Sequence, residues 1–208
     1  MLLLNYHFLT TAKYSGLIAC ITVLTWYNWA DNVLIMKKIN TKYKQPATTT
    51  ALMLENIRSA ENVGAIFRTA DAAGISHIYL GGYTPAPLDR FNRPQPKIAT
   101  RALGAEKTIP WTVVARPSIL ISKLKKEGWQ TIAIEQSPKA IDYKKVKIGA
   151  QKGEPAKVLI VVGNEVDGVS KKILDLVDVI AEIPMRGQKE SLNVSVATGI
   201  ALFRIFDL

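Results

Sequence analysis

From about Thr50 onward, short runs of β-branched and other apolar residues alternate with segments whose apolar positions recur at helical spacing. That alternation predicts an α/β domain with a mostly parallel sheet and helices on both faces. Strands are expected near residues 51–54, 75–80, 109–114, 129–134, 158–162 and 179–183, with helices between them.

The helical segment 61–73 places Ile66, Phe67, Ala70 and Ala73 on one face and turns Arg68 away from it. Asn62 or Ser59 can serve as its N-cap, and Gly74 ends it. Between residues 81 and 96 the chain carries four prolines, two adjacent glycines, Arg90 and Arg93, so a substantial loop is expected, and a candidate nucleic-acid contact with it. Residues 117–127 read as a basic amphipathic helix, and residues 139–157 form a lysine-rich connection containing two glycines.

Composition adds a boundary and a partner class. The chain has 208 residues, 48% of them hydrophobic, which suffices for a well-packed core without disulfides. A single cysteine, Cys20, has no intramolecular partner, which points to a reducing, cytoplasmic setting. The first 35 residues hold only Lys13 and Asp31 as charges, so the net charge of +10 resides in the remainder and points to a polyanion.

Within those 35 residues the apolar run 16–26 is short for a membrane span of roughly 20 residues. It also lacks the basic start and cleavage site of a secretory signal. Met36 opens "MKKINTKYKQPATTT", so residues 1–35 are expected to be a poorly structured or spurious extension and residues 36–208 a single domain. Stable membrane association is not expected; a membrane anchor in residues 1–35 is the rival view.

Three segments set polar residues where a strand ends and a helix begins, the place where parallel α/β sheets bind ligands. They are "NVGAIFRTADAAG" from Asn62, "VVGNEVDGVS" from Val161 and "IPMRGQKESLNVSVA" from Ile183. Each admits a plain structural reading: Asn62 and Gly64 start a helix, Ser170 caps another, and Ser191 or Asn193 caps the last. Clustered Ser191, Asn193 and Ser195 nevertheless exceed what one cap requires, and a helix start offers donors to an anionic ligand. Neither GxGxxG nor a Walker sequence is present, and with only His7, His77 and one cysteine no metal cluster or Cys–His pair assembles.

Taken together and in order, "N-x-G-A-x-x-R-x-A", "G-N-E" and "I-P-M-x-G-x-x-x-S-L-N-x-S-x-A" resemble the three motifs of the SpoU (TrmH-like) class of SPOUT RNA methyltransferases over residues 54–203. The resemblance implies an α/β fold with a C-terminal trefoil knot, a homodimer with sites at the subunit interface, and S-adenosylmethionine as the methyl donor to a ribose 2′-hydroxyl of tRNA or rRNA. It assigns catalytic or supporting roles to Arg68, Glu165, Asn193, Ser191 and Asn62. For the cofactor it implies main-chain contacts at Gly163, Ile183 and Leu192, with Ser191 beside them and Ile134 or Glu135 flanking the pocket.

A guanidinium with a pKa above about 12 is a poor general base, so Arg68 is expected to clamp an RNA phosphate bidentately. That phosphate, or a transiently deprotonated guanidine, then takes the 2′-proton. The alternative is a non-catalytic RNA-binding module of the same fold, and the intact Arg68, Glu165 and Asn193 speak against it.

Overall fold

The computed structural model describes residues 48–149 and 155–208, and the expectations for residues 1–35 lie outside them. Seven strands form one sheet, in chain order β1 (Thr48–Glu55), β2 (His77–Gly81), β3 (Trp111–Val114), β4 (Gln130–Ile134), β5 (Ile141–Asp142), β6 (Ala156–Val162) and β7 (Val179–Glu182). Their spatial order is β3-β2-β1-β6-β4-β7-β5, and every pairing is parallel.

Apolar runs fill both faces of the central strands, as a covered parallel sheet requires. Leu52 and Leu54 of β1 join Val158, Ile160 and Val162 of β6 in one core, whereas Ala51, Met53, Leu159 and Val161 point into another. Helices α1 (Ala60–Ala72), α2 (Pro96–Ala102), α3 (Ala105–Thr108) and α6 (Val194–Ile205) cover the first face. On the second face lie α4 (Pro117–Lys126), through Ile121 and Leu124, and α5 (Lys171–Leu174), through Ile173. Each fully buried Leu, Ile or Phe contributes about 1.5–3 kcal/mol, and Phe67 of α1 has no exposed surface.

The expected strands all occur, most with shifted ends. β1 starts three residues before the apolar run because Thr48, Thr49 and Thr50 pair with Ala156, Lys157 and Val158. β2 and β3 start later than expected, since Ile75 and Ile109 serve as buried residues in the preceding turns. The two-residue β5, which pairs Ile141 with Ala181 and Asp142 with Glu182, appears inside the lysine-rich connection and was not expected there.

Ser59 caps α1, its side chain accepting the Asn62 backbone N–H at 3.1 Å, so the Asn62 side chain is released for other work. Gly64 sits mid-helix at a cost near 1 kcal/mol because a Cβ there would meet the Ile98 carbonyl oxygen at 2.5 Å and Arg101 Cβ at 2.8 Å. The motif-one glycine therefore sets the approach of α1 to α2 rather than starting the helix. Ser170 precedes α5 without a side-chain cap bond; its hydroxyl donates instead to Glu55 Oε1 at 2.6 Å.

The chain runs outward from β1 through β2 to β3, then returns past β1 to place β4 beyond β6. The reversal lies between β1 and β6, and loops leaving the carboxyl ends of β1, β4, β6 and β7 converge there, where open α/β sheets hold ligands.

Candidate active site

A cleft of about 330 Å³ opens at these strand ends, between the segments that follow β4, β6 and β7 and the start of α6. All six residues expected around a cofactor line it: Ile134, Glu135, Gly163, Ile183, Ser191 and Leu192. Among the catalytic candidates, Glu165 and Ser191 also line it.

The loop after β6 is folded tightly on itself. Asn164 and Gly168 exchange backbone hydrogen bonds of 3.2 and 3.1 Å, and Asn164 Oδ1 accepts the N–H groups of Val166 and Asp167 at 2.7 Å each. A Cβ on Gly163 would collide with the Gly168 carbonyl group and the Val169 nitrogen, so only glycine lets the loop close. Glu135, at the end of β4, accepts the Val169 N–H at 2.7 Å and the Gln136 N–H at 2.9 Å. Its carboxylate thus holds the β6 loop against β4 while flanking the cleft.

Polar residues from all three motifs meet at the rim. Asn62 Nδ2 donates to Glu165 Oε1 at 2.6 Å, Asn193 Nδ2 donates to Asn62 Oδ1 at 3.1 Å, and the Ser195 N–H and hydroxyl donate to Asn193 Oδ1 at 2.9 and 2.6 Å. Asn193 is also the N-cap of α6, leaving Ser191 free to line the cleft. Partial burial alone would push the Glu165 pKa up. Hydrogen bonds from Asn62 and from the backbone N–H groups of Arg58 and Ser59, at 3.2 and 3.4 Å, outweigh it and hold the carboxyl below its ordinary value. Glu165 is therefore an ionised acceptor, set at the start of α1 where the helix dipole favours negative charge.

Arg68 stands apart from this group. It is exposed on α1, six residues beyond Asn62 and hence about 9 Å along the helix axis, and its side chain makes no hydrogen bond or ion pair with any described residue. It does not line the cleft. One turn before it, Gly64 packs against Arg101 of α2, so the two arginines flank the same helix contact.

Glu55 and Asn164 were not foreseen. Glu55 is 4% exposed and accepts both the N–H and the hydroxyl of Ser170, at 2.9 and 2.6 Å, tying the end of β1 to the loop after β6. A carboxylate closing an apolar strand is the signal that marks it in the sequence. Asn164 is 8% exposed and shapes the β6 loop; its place in "G-N-E" is the corresponding signal.

Comparisons with known proteins agree with this fold. The model of the SpoU rRNA methylase family matches residues 49–203. A Staphylococcus epidermidis protein named for the TrmH family of tRNA/rRNA methyltransferases is 29% identical over 199 residues, 96% of this chain and 72% of its own; so long an alignment reaches back past Met36. The S-adenosylmethionine-bound structure of an rRNA methyltransferase from Sinorhizobium meliloti is 30% identical, superposes with a TM-score of 0.65, and covers 78% of this chain and 57% of that one. A structure solved as an RNA 2′-O ribose methyltransferase is 25% identical with a TM-score of 0.62, over 78% of this chain and 57% of its own. With a match across both sheet cores and all three rim motifs, the chain belongs to the SpoU rRNA methylase family.

Proposed function

We propose that this protein transfers a methyl group from S-adenosylmethionine to a ribose 2′-hydroxyl of tRNA or rRNA. The observation that carries the reading is the hydrogen-bonded chain Ser195–Asn193–Asn62–Glu165, which joins the three motifs at the cleft rim. A module that only bound RNA would have no need to orient two amides and a carboxylate beside a small-molecule cleft. The 2′-O assignment draws support from the motif pattern and from the relative solved as a 2′-O ribose methyltransferase.

The cleft suits the cofactor: its volume of about 330 Å³ falls in the range of small-molecule sites. Gly163, Ile183 and Leu192 would hold the nucleoside portion through main-chain groups, with Ser191 and Ile134 beside them. When bound, S-adenosylmethionine supplies an electrophilic methyl group on a sulfonium.

The protein's own part is to position the ribose and to manage its proton. Glu165, ionised and accepting from Asn62, fixes the amide of Asn62; that amide fixes Asn193, and the pair presents a preset polar edge to the incoming nucleotide. Arg68, whose guanidinium has no partner among the described residues, clamps an RNA phosphate, and that phosphate or a transiently deprotonated guanidine accepts the 2′-proton.

The working unit is a homodimer. Val196, Ile200 and Phe203 of α6 repeat at intervals of four and three residues and are 50%, 37% and 41% exposed, an apolar stripe that a second copy would cover. The interleaved strand order β6-β4-β7-β5 supports the knot that the motifs imply. No described helix is long and apolar enough to cross a membrane, and the lone Cys20 supports a cytoplasmic setting. Incubation with tritiated S-adenosylmethionine and total cellular RNA tests the reading: label in RNA, retained as 2′-O-methylnucleoside after digestion, is expected, and RNA binding without label would overturn it.

A further inference from the structure

The loop between β2 and α2 carries a rigid knob whose tip is built from two arginines and a phenylalanine. Leu88 and Pro94 pair across its base, and the Asp89 N–H donates to the Arg93 carbonyl at 3.0 Å. Asp89 also organises the interior: Oδ1 accepts the N–H groups of Phe91 and Arg93 at 2.8 and 3.0 Å, and Oδ2 binds Arg93 Nε and Nη2 at 2.8 and 2.7 Å. Asn92 takes a left-handed conformation, φ 58°, to turn the chain at the tip.

This internal bonding holds an aromatic ring out in solvent. Phe91 is 61% exposed, with the Arg90 and Arg93 guanidinium carbons 4.7 and 5.0 Å from its ring centroid. Only Arg93 is neutralised by Asp89; Arg90 has no carboxylate partner among the described residues. A lone exposed phenylalanine is ordinary, but a ring flanked by planar cations on a tightly braced turn forms a stacking surface with a net positive charge beside it.

Placement ties the knob to the active cleft. The loop begins at Tyr83, 59% exposed, whose hydroxyl lies 3.5 Å from Nδ2 of the cleft-lining Asn164. It ends at α2, whose Arg101 packs beside Gly64, one turn from Arg68. A polyanionic strand leaving the cleft along this loop meets Arg90 on the knob and then Arg101 and Arg68 on the helices beyond it.

We infer that the Phe91 knob is a binding site for an unpaired RNA base, which stacks on the Phe91 ring or on a flanking guanidinium while Arg90 neutralises the adjacent phosphate. The inference rests on the reading of RNA as substrate. It also names the form of the contact: a nucleotide outside any helix, since a base inside a duplex has no free face to offer.

The test uses the full chain with a fluorescein-labelled twelve-nucleotide oligoadenylate and, separately, bulk tRNA, followed by anisotropy and by tritium transfer from labelled S-adenosylmethionine. Phe91→Ala is expected to weaken oligoadenylate binding about fivefold or more, and Phe91→Tyr to restore it. Arg90→Ala should lower affinity and reduce the salt slope by about one. Because Phe91 is 61% exposed and neither it nor Arg90 belongs to a core cluster, all three variants are expected to melt as the wild type does. Wild-type affinity in Phe91→Ala, with transfer to RNA intact, overturns the knob and leaves the methyltransferase reading standing. Absence of both RNA binding and transfer in the wild type overturns both. Unchanged RNA affinity with a smaller mass in sedimentation would show that Phe91 meets a second protein copy, which also overturns the inference.

Discussion

Around the cleft, Asn62, Glu165, Asn193 and Glu135 direct their hydrogen bonds at one another and at nearby backbone, whereas Arg68 on α1 and Arg90 on the knob have no carboxylate partner among the described residues. The rim is complete without a partner; the cationic surface is not. Polar groups that satisfy each other hold a shape, and exposed cations without counterions are left for an anion to claim. On the proposed function, the first region is the positioning machinery and the second the place where RNA is grasped.

The sharpest way to break that division is Arg68→Ala. Turnover on RNA is expected to fall about 10²–10³-fold, while calorimetry finds S-adenosylmethionine affinity unchanged. Near-normal turnover would remove the cationic surface from catalysis altogether.

Gly163→Ala attacks the other region. The new Cβ collides with the backbone of Gly168 and Val169, so thermal unfolding should show a loss of about 1–3 kcal/mol, with cofactor affinity falling too. RNA binding at the knob should survive in the variant while it remains folded. A variant with wild-type melting temperature would show that the β6 loop is not closed in this way.

A smaller effect is expected from Asn62→Ala, which removes a donor from Glu165 and cuts Asn193 off from it. Turnover should drop about tenfold. The same variant carries a pH signature. The folded-state pKa of Glu165 lies below its ordinary value, so its contribution to stability is present above the unfolded-state pKa and is lost as pH falls through the folded one. With Asn62 gone the folded value moves up toward the ordinary one. The acid loss of stability still begins at the unfolded-state pKa but is complete at a higher pH and is smaller in total, as melting temperatures between neutral and acid pH will report.

Smallest of all is Lys125→Ala. Lys125 pairs with Asp178 at 2.8 Å, but the two side chains are 34% and 38% exposed, so the loss should stay under about 1 kcal/mol by denaturant titration. Turnover should be unaffected, because this pair lies at the start of β7, away from the cleft.

What could be read from the sequence divides along physical lines. Strands β1, β4 and β6 show because their apolar runs answer to local burial on both faces. β5 does not, since two residues carry no periodicity and Ile141 becomes a strand residue only by meeting Ala181. Strand order is equally silent: the pairing of β4 with both β6 and β7 joins segments far apart in the chain, and no local pattern encodes it.

At the site, residue types pointed to the right places but left their partners open. Asn62 and Ser59 are equal candidates for one cap by composition, and only the fold gives the cap to Ser59 and turns Asn62 toward Glu165. Glu55 escaped notice because its partner, Ser170, lies 115 residues away. Arg68 stood out as a residue, yet its distance from the cleft of its own chain could not be read from spacing.

The chain of amides has one further consequence, and it concerns descent. A carboxylate can only accept, so Glu165 dictates which end of the Asn62 amide faces it, and through Asn62 which end of Asn193 does the same. Aspartate at position 62 alone would set two carboxylates face to face; glutamine at position 165 alone would turn an amide N–H₂ toward donors. Made together, the two exchanges restore a donor opposite an acceptor. Positions 62 and 165, though 103 residues apart, are thus expected to change together, and the paired exchange should retain more turnover than either exchange alone.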